Sequence, residues 1–229
     1  MRFRKVAEGT QEHAISTDRF SSWLRRTRQA QRTAEGASVP CGECKACCTS
    51  SYFIHISPDE TATLAKIPKE FRFAAPGLPT GHVLLGYDKN GHCPMFIDNQ
   101  CSIYDYRPQT CRNYDCRIFP ATGLPPEGDK PLIAQQAVRW KFDLSTIQDH
   151  KHFSAVQAAA KFLQEHAEAF PPGFVPKNST QQAMLAIKVY EVFLTLTAES
   201  ANGELTTRQH EIVEAILAAY KRFETGKHS

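Results

Sequence analysis

The chain has 229 residues, 41% of them apolar and 22% charged, with a formal net charge of +3. That composition excludes a disordered or fibrous chain, and the length holds one sizeable core or a site-bearing domain with a helical partner. The small net charge does not by itself point to nucleic acid, the cationic N-terminus has no apolar run behind it of the kind a secretory signal needs, and no stretch approaches the roughly 20 apolar residues that span a bilayer.

The first dozen residues are polar and are expected to fray; Ser16-Thr17-Asp18 then offers N-cap chemistry for a helix running to about Thr33. Phe20, Trp23, Leu24 and Thr27 share one side of it, while Arg19, Arg25, Arg26, Arg28 and Arg32 make it a basic amphipathic helix suited to a protein partner. Glu35-Gly36-Ala37-Ser38 ends this helix, and Val39-Pro40 imposes an extended approach to the first cysteines. Ser51 to Ile56 alternates and is rich in β-formers, which predicts a strand. Ser57-Pro58-Asp59-Glu60 then carries the cap, first-turn proline and returning acid of a short helix to about Lys66. Segments 82–88 and 93–97 flank Lys89-Asn90-Gly91-His92, and Asn-Gly predicts a tight turn pairing them as a hairpin; Asp98-Asn99 is a second turn signal. Gly123, Pro125, Pro126 and Gly128 predict a loop over 121–130, and a strand is expected over 132–142. Beyond residue 145, apolar residues recur at helical steps in three groups: Phe153 to Phe170, Met184 to Leu194 and Ile212 to Phe223. The elements predict an α+β fold in three parts. They are a basic N-terminal helix over 1–36, a cysteine-cluster metal-binding domain with short strands and a hairpin over 37–145, and a C-terminal three-helix region over 146–229 packed on it.

Eight cysteines, Cys41, Cys44, Cys47, Cys48, Cys93, Cys101, Cys111 and Cys116, lie in one third of the chain. Cysteines used only as small apolar side chains would be scattered through the helices as well. A disulfide framework conflicts with the missing secretory signal and with a chain long enough to build its own core. Metal binding fits the spacing. Cys41-Gly-Glu-Cys44 and Cys44-Lys-Ala-Cys47 each place two sulfurs on one ion around a tight turn. Cys47 and Cys48 are adjacent, so their side chains diverge and do not readily share an ion. Four thiolates fill a tetrahedral site and eight are present, so two close centres or one polynuclear cluster are expected. Thiolate ligation suits zinc or iron, with an iron-sulfur cluster as one form, and argues against magnesium, calcium or manganese. His92 is a candidate to replace one thiolate. A cytoplasmic location, where thiols stay reduced, is consistent with all of this.

The run Cys41-x-x-Cys44-x-x-Cys47-Cys48, followed by Cys93-Pro94, Cys101-Ser-Ile-Tyr104, Arg107-Pro108 and Cys111-Arg112-x-Tyr114-x-Cys116, resembles the CxxCxxCC family, the YkgJ-like group of zinc- or iron-chelating or iron-sulfur-cluster proteins. The resemblance implies metal binding by the eight matching cysteines. A distant similarity to flagellin lysine methylases implies an alternative, an iron-sulfur-dependent enzyme of redox or methyl-transfer chemistry. Eight thiolates carry more negative charge than two divalent ions neutralise, which makes Arg107 and Arg112 candidates to support the site, with Tyr104, Tyr114 and Arg117 beside them. Pro108 is expected to start a short helix presenting Cys111. A zinc-dependent nucleic-acid-binding module is disfavoured: Leu205 to Val213 is similar to the first helix of a helix-turn-helix, but the sequence ends at Ser229 without room for a recognition helix. The spacing for a radical S-adenosylmethionine site fails at Ser51, and no nucleophile triad, phosphate loop or dinucleotide fingerprint is present.

Overall fold

The computed structural model describes residues 14–33, 36–37, 39–196 and 205–226. The expectations for the first dozen residues, and for Glu35 and Ser38 at the end of the first helix, lie outside these. Residues Ile15–Arg19 form strand β1, not a helix cap, and helix α1 follows over Phe20–Arg32. The reason is tertiary: Asp149, far along the chain, accepts a 2.9 Å hydrogen bond from the Ser21 amide and so caps α1 in place of Asp18. Phe20, Trp23, Leu24, Thr27 and Ala30 are buried, the three- and four-residue steps of a core-facing stripe.

The cysteine-bearing segment is built from short pieces: β2 (Ile54–Ile56), α2 (Thr61–Lys66), β3 (Arg72–Ala74), β4 (Val83–Leu85), β5 (Phe96–Ile97), β6 (Gln100–Cys101) and α3 (Gln109–Asn113). Strand β4 lies between β2 and β3, antiparallel to both, with Leu85 opposite Ile54 and Arg72. The hairpin expected across Asn90-Gly91 is therefore not formed, because β4 is already paired on both edges. What remains there is a closed turn, in which the Asp88 amide donates to the His92 carbonyl and the Asp88 carboxylate accepts from the Asn90 and His92 amides. The hairpin is instead β5–β6, at Asp98 and Asn99, both in the left-handed region (φ 48 and 66) that a two-residue type I′ turn requires. Ile56, Ile67, Leu85, Met95 and Ile103 close a small core under this segment. The expected capping contact at Ser57 is present, its amide donating to Glu60 at 2.9 Å, although α2 starts only at Thr61.

Helix α4 (Ile118–Thr122) occupies the start of the expected loop, and Gly123 (φ 75) closes it by donating to the Phe119 carbonyl. The expected strand over 132–142 is helix α5 (Pro131–Arg139) followed by strand β7 (Trp140–Asp143). Pro131 opens α5, and Ile133, Gln136 and Ala137 bury one helical face, so helical periodicity overrides the alternation. Strand β7 runs parallel to β1, Ile15 against Trp140. Helices α6 (Ile147–Glu165), α7 (Ser179–Val189), α8 (Glu191–Leu196) and α9 (Leu205–Thr225) complete the described chain. The middle of the three expected C-terminal helices is thus two, broken at Tyr190. The large core takes residues from α1, α4, α5, β7 and these C-terminal helices, Trp23, Phe119, Trp140, Leu163, Ile187 and Ile216 among them. Arg28 and Arg32 of the basic helix lie against the ring of Phe223, and Arg28 also pairs with Glu191. The fold is mixed α+β. No helix among the described residues is long and apolar enough to cross a membrane.

Candidate metal centre

The first cysteines are held by a turn. The Cys44 amide donates to the Cys41 carbonyl at 3.0 Å, with Gly42 at φ +55 between them. A 3₁₀ turn over Ala46–Thr49 then carries Cys47 and Cys48. With three residues per turn, neighbouring side chains on it point about 120° apart. Side-chain bonds from Thr49 to the Lys45 carbonyl and from Ser50 to the Ala46 carbonyl lock that turn.

Cys93 is brought to it by contacts distant in sequence, and Cys101, Cys111 and Cys116 are held by elements of their own. The Cys93 amide donates to the Cys48 carbonyl at 2.8 Å, and the Ser51 amide to the Gly91 carbonyl at 2.9 Å, so the segment after the turn lies against the segment before Cys93. Burial raises the Cys93 thiol, with the backbone at Met95 and Phe96 opposing and Cys101 adding to the rise, and the Phe96 amide closes the turn by donating to the Cys93 carbonyl at 2.8 Å. Cys101 sits on β6 opposite Phe96. Cys111 rides on α3, whose first amide donates to Glu60 at 2.6 Å and whose Thr110 hydroxyl donates to the His55 carbonyl on β2. Cys116 is buried, and the Trp140 indole N–H donates to its sulfur at 3.1 Å.

Electrostatic coupling sorts the thiols. Cys47 is an exposed residue, yet its thiol is raised, first by the protein atoms crowding the sulfur and then by Cys116, Cys41, Cys48 and Cys44. Cys41 is pushed up to about 11 by burial and then by Cys44 and Asp115, with Arg117 and Arg107 opposing. Cys116 reaches about 12 through burial, opposed by the Trp140 bond and reinforced by Asp115, Cys41 and Cys44. Cys48, by contrast, rises to about 11 through burial, Cys101, Cys93 and Cys44. Cys111 is raised by burial and then by Cys93, Cys48 and Cys101. The adjacent pair therefore differs in the thiols that raise it most: Cys116 and Cys41 for Cys47, Cys101 and Cys93 for Cys48. Among the described residues, no group of three or more His, Cys, Asp or Glu side chains is gathered closely enough to hold a metal ion.

The expected arginines divide. Arg107 opposes the rise of Cys41, Cys48 and Cys111, and it stacks on Tyr104 with its guanidinium 3.6 Å from the ring centre. Arg112 turns to the Gln109 side chain at 2.9 Å. His92 rests edge-on against the Phe96 ring. Tyr114 shares a 3.1 Å hydroxyl contact with Tyr52. Sequence reasoning missed Asp115 as a partner of Arg117. Both are buried, with side chains 2% exposed, and joined at 2.8 Å; Asp115 also accepts from the Trp23 indole at 2.9 Å. Both tryptophans of the chain thus aim their N–H groups at residues 115 and 116. A signal was present in that count, but the pairing across 92 positions is visible only in the fold.

No curated protein and no solved structure matches the chain. One family model does, the CxxCxxCC family, described as "Putative zinc- or iron-chelating domain" and matched over residues 40–140. This stretch runs from just before the first cysteine to the first residue of β7 and takes in every cysteine of the chain, and it is a domain of the CxxCxxCC family.

Proposed function

We propose that the chain binds zinc or iron in two neighbouring thiolate centres, one of Cys41, Cys44, Cys47 and Cys116 and the other of Cys48, Cys93, Cys101 and Cys111. The observation that carries this reading is that Cys47 and Cys48 are neighbours on one 3₁₀ turn, whose side chains diverge, and support comes from the different thiols that raise each of them most. Four soft sulfur donors per centre match the tetrahedral preference of zinc and the ligand set of iron-sulfur sites. All eight cysteines are free thiols, as a cytoplasmic chain keeps them. The donors are not closed on a common point, so loading draws each quartet together and stabilises the short strands and turns that carry it. Arg107, whose charge reaches thiols of both sets, offsets part of the negative charge of eight thiolates.

Elemental analysis of anaerobically purified protein tests the proposal. About two zinc ions per chain, or iron with acid-labile sulfide, is the expected result, and the second outcome supports an iron-sulfur form, whose alternative reading is a redox or methyl-transfer enzyme. Cys47→Ser and Cys48→Ser are each expected to lose metal, from different centres, so the double variant loses both. If the double variant retains as much metal as either single variant, one shared centre replaces two.

A further inference from the structure

A groove of about 610 Å³ runs along α2 and the chain that follows it. Thr61, Leu64 and Ala65, three and four positions apart, form one wall from a single face of the helix, and Ile67 and Pro68 continue the apolar surface beyond its end. Ile67 also belongs to the small core, which anchors that part of the surface. Three cations line the same groove, Lys66, Lys69 and Arg72, and no carboxylate does. Lys66 lies over the ring of Tyr106, 4.9 Å from its centre. Lys69, which starts the 3₁₀ turn Lys69–Phe71, and Arg72, which opens β3, are placed differently. Among the described residues neither of their side chains has an ion pair, a hydrogen bond or a ring contact. Glu70, the acid between them in sequence, is exposed and does not line the groove. Arg72 is half-buried, and a guanidinium so placed without a counter-charge is one that an incoming anion stabilises.

We propose that this groove binds a small amphipathic carboxylate, its charged group held by Arg72 and Lys69 and its apolar tail laid along Leu64, Ala65, Ile67 and Pro68. Charge complementarity selects the head group: Arg72 offers a planar fork for two carboxylate oxygens, and Lys69 a point charge. The apolar wall selects the tail, since an inorganic anion gains nothing from it and an acyl chain is removed from water by it. The size agrees, because the volume falls in the range of small-molecule sites. Helix α2 has six residues, about 9 Å of length, which suits a short acyl chain. No cysteine lines the groove, so binding there does not depend on which metal the thiols take.

The test is a titration of the full chain, as purified, with sodium octanoate, followed by NMR of the backbone amides of 61–72, with octanol and sodium acetate as separate probes. Saturable shifts with octanoate are expected. Octanol, which lacks the charge, and acetate, which lacks the tail, should each bind about tenfold more weakly or less. Arg72→Gln and Lys69→Gln should each weaken octanoate binding about tenfold, the loss of one charge-assisted hydrogen bond. Ala65 is exposed, so Ala65→Glu sets a carboxylate in the groove without disturbing the core. It should abolish octanoate binding and leave the thermal midpoint unchanged, which separates lost binding from lost structure. No saturable shift with octanoate, octanol or acetate binding as tightly as octanoate, or unchanged binding by Arg72→Gln or Lys69→Gln overturns the proposal.

Discussion

Gly91 shows how a single residue places a thiol. At φ +79 it occupies left-handed backbone, and a Cβ there would stand 2.3 Å from the Ser51 hydroxyl. Its carbonyl accepts the Ser51 amide in the same contact that brings Cys93 to Cys48. Gly91→Ala is expected to destabilise the protein by about 1–3 kcal/mol through strain and overpacking, read as a lowered urea midpoint. Gly42→Ala is the control: φ is +55 but nothing lies within 4 Å of the added carbon, so the cost should be nearer 1 kcal/mol. Trp140 acts at the same scale, because its indole donates to Cys116. Removing the donor with Trp140→Phe should cost about tenfold in metal affinity, measured by competition with a chromogenic chelator. The turn signal at Asn90-Gly91 was legible in the sequence. Its use as a clamp on Ser51, forty positions earlier, was not, since spacing carries no information about that approach.

At the scale of elements, Asp149 joins two helices. Its carboxylate closes a capping box with Thr146 at the start of α6 and accepts the Ser21 amide at the start of α1. Burial opposes its charge, but the bonds from Ser21 and Thr146 outweigh that and hold the group below the usual carboxylate range. A folded-state value below the unfolded one, near 3.9, gives stability that is present above about pH 4 and lost as pH falls toward the folded value. Asp149→Asn should therefore lower stability by about 1–3 kcal/mol at pH 7 and show a flatter decline into acid, by urea unfolding at pH 7 and pH 3. The same residue explains why Ser16-Thr17-Asp18 reads as a cap in the sequence and is a strand in the fold. A tertiary carboxylate satisfies the helix amides, and β7 offers the backbone of 15–19 a parallel partner. Glu60 plays a comparable part, accepting from both Ser57 and Gln109 and so fixing the end of α3 that presents Cys111.

Across the whole molecule, the large core does not involve most of the thiols, whereas the small core lies directly under Cys93 and Cys101. Metal removal by a chelator should therefore raise amide hydrogen exchange over 41–116 while α6, α7 and α9 keep their protection. Equal loss of protection everywhere would show that the helical core depends on the metal. Protonation gives a second whole-molecule expectation. Cys41 and Cys48 lie near 11 without metal, so at neutral pH an incoming ion must displace their protons, and affinity should rise with pH. Calorimetry in buffers of different ionisation enthalpy would register the released protons.

By itself the sequence determined the concentration of eight thiols in one segment, the turn-forming spacing around Gly42 and the helical periodicity beyond residue 145. These are local properties, fixed by residue type and by steps of a few positions. The tertiary structure decided that Cys93 lies against Cys48, that the hairpin sits at Asp98-Asn99, that 131–139 is helical, and that Trp23 and Trp140 support the segment of Asp115 and Cys116. Each of those rests on a contact between residues tens of positions apart, formed because burying a shared core brings them together, and no local pattern encodes such a pairing.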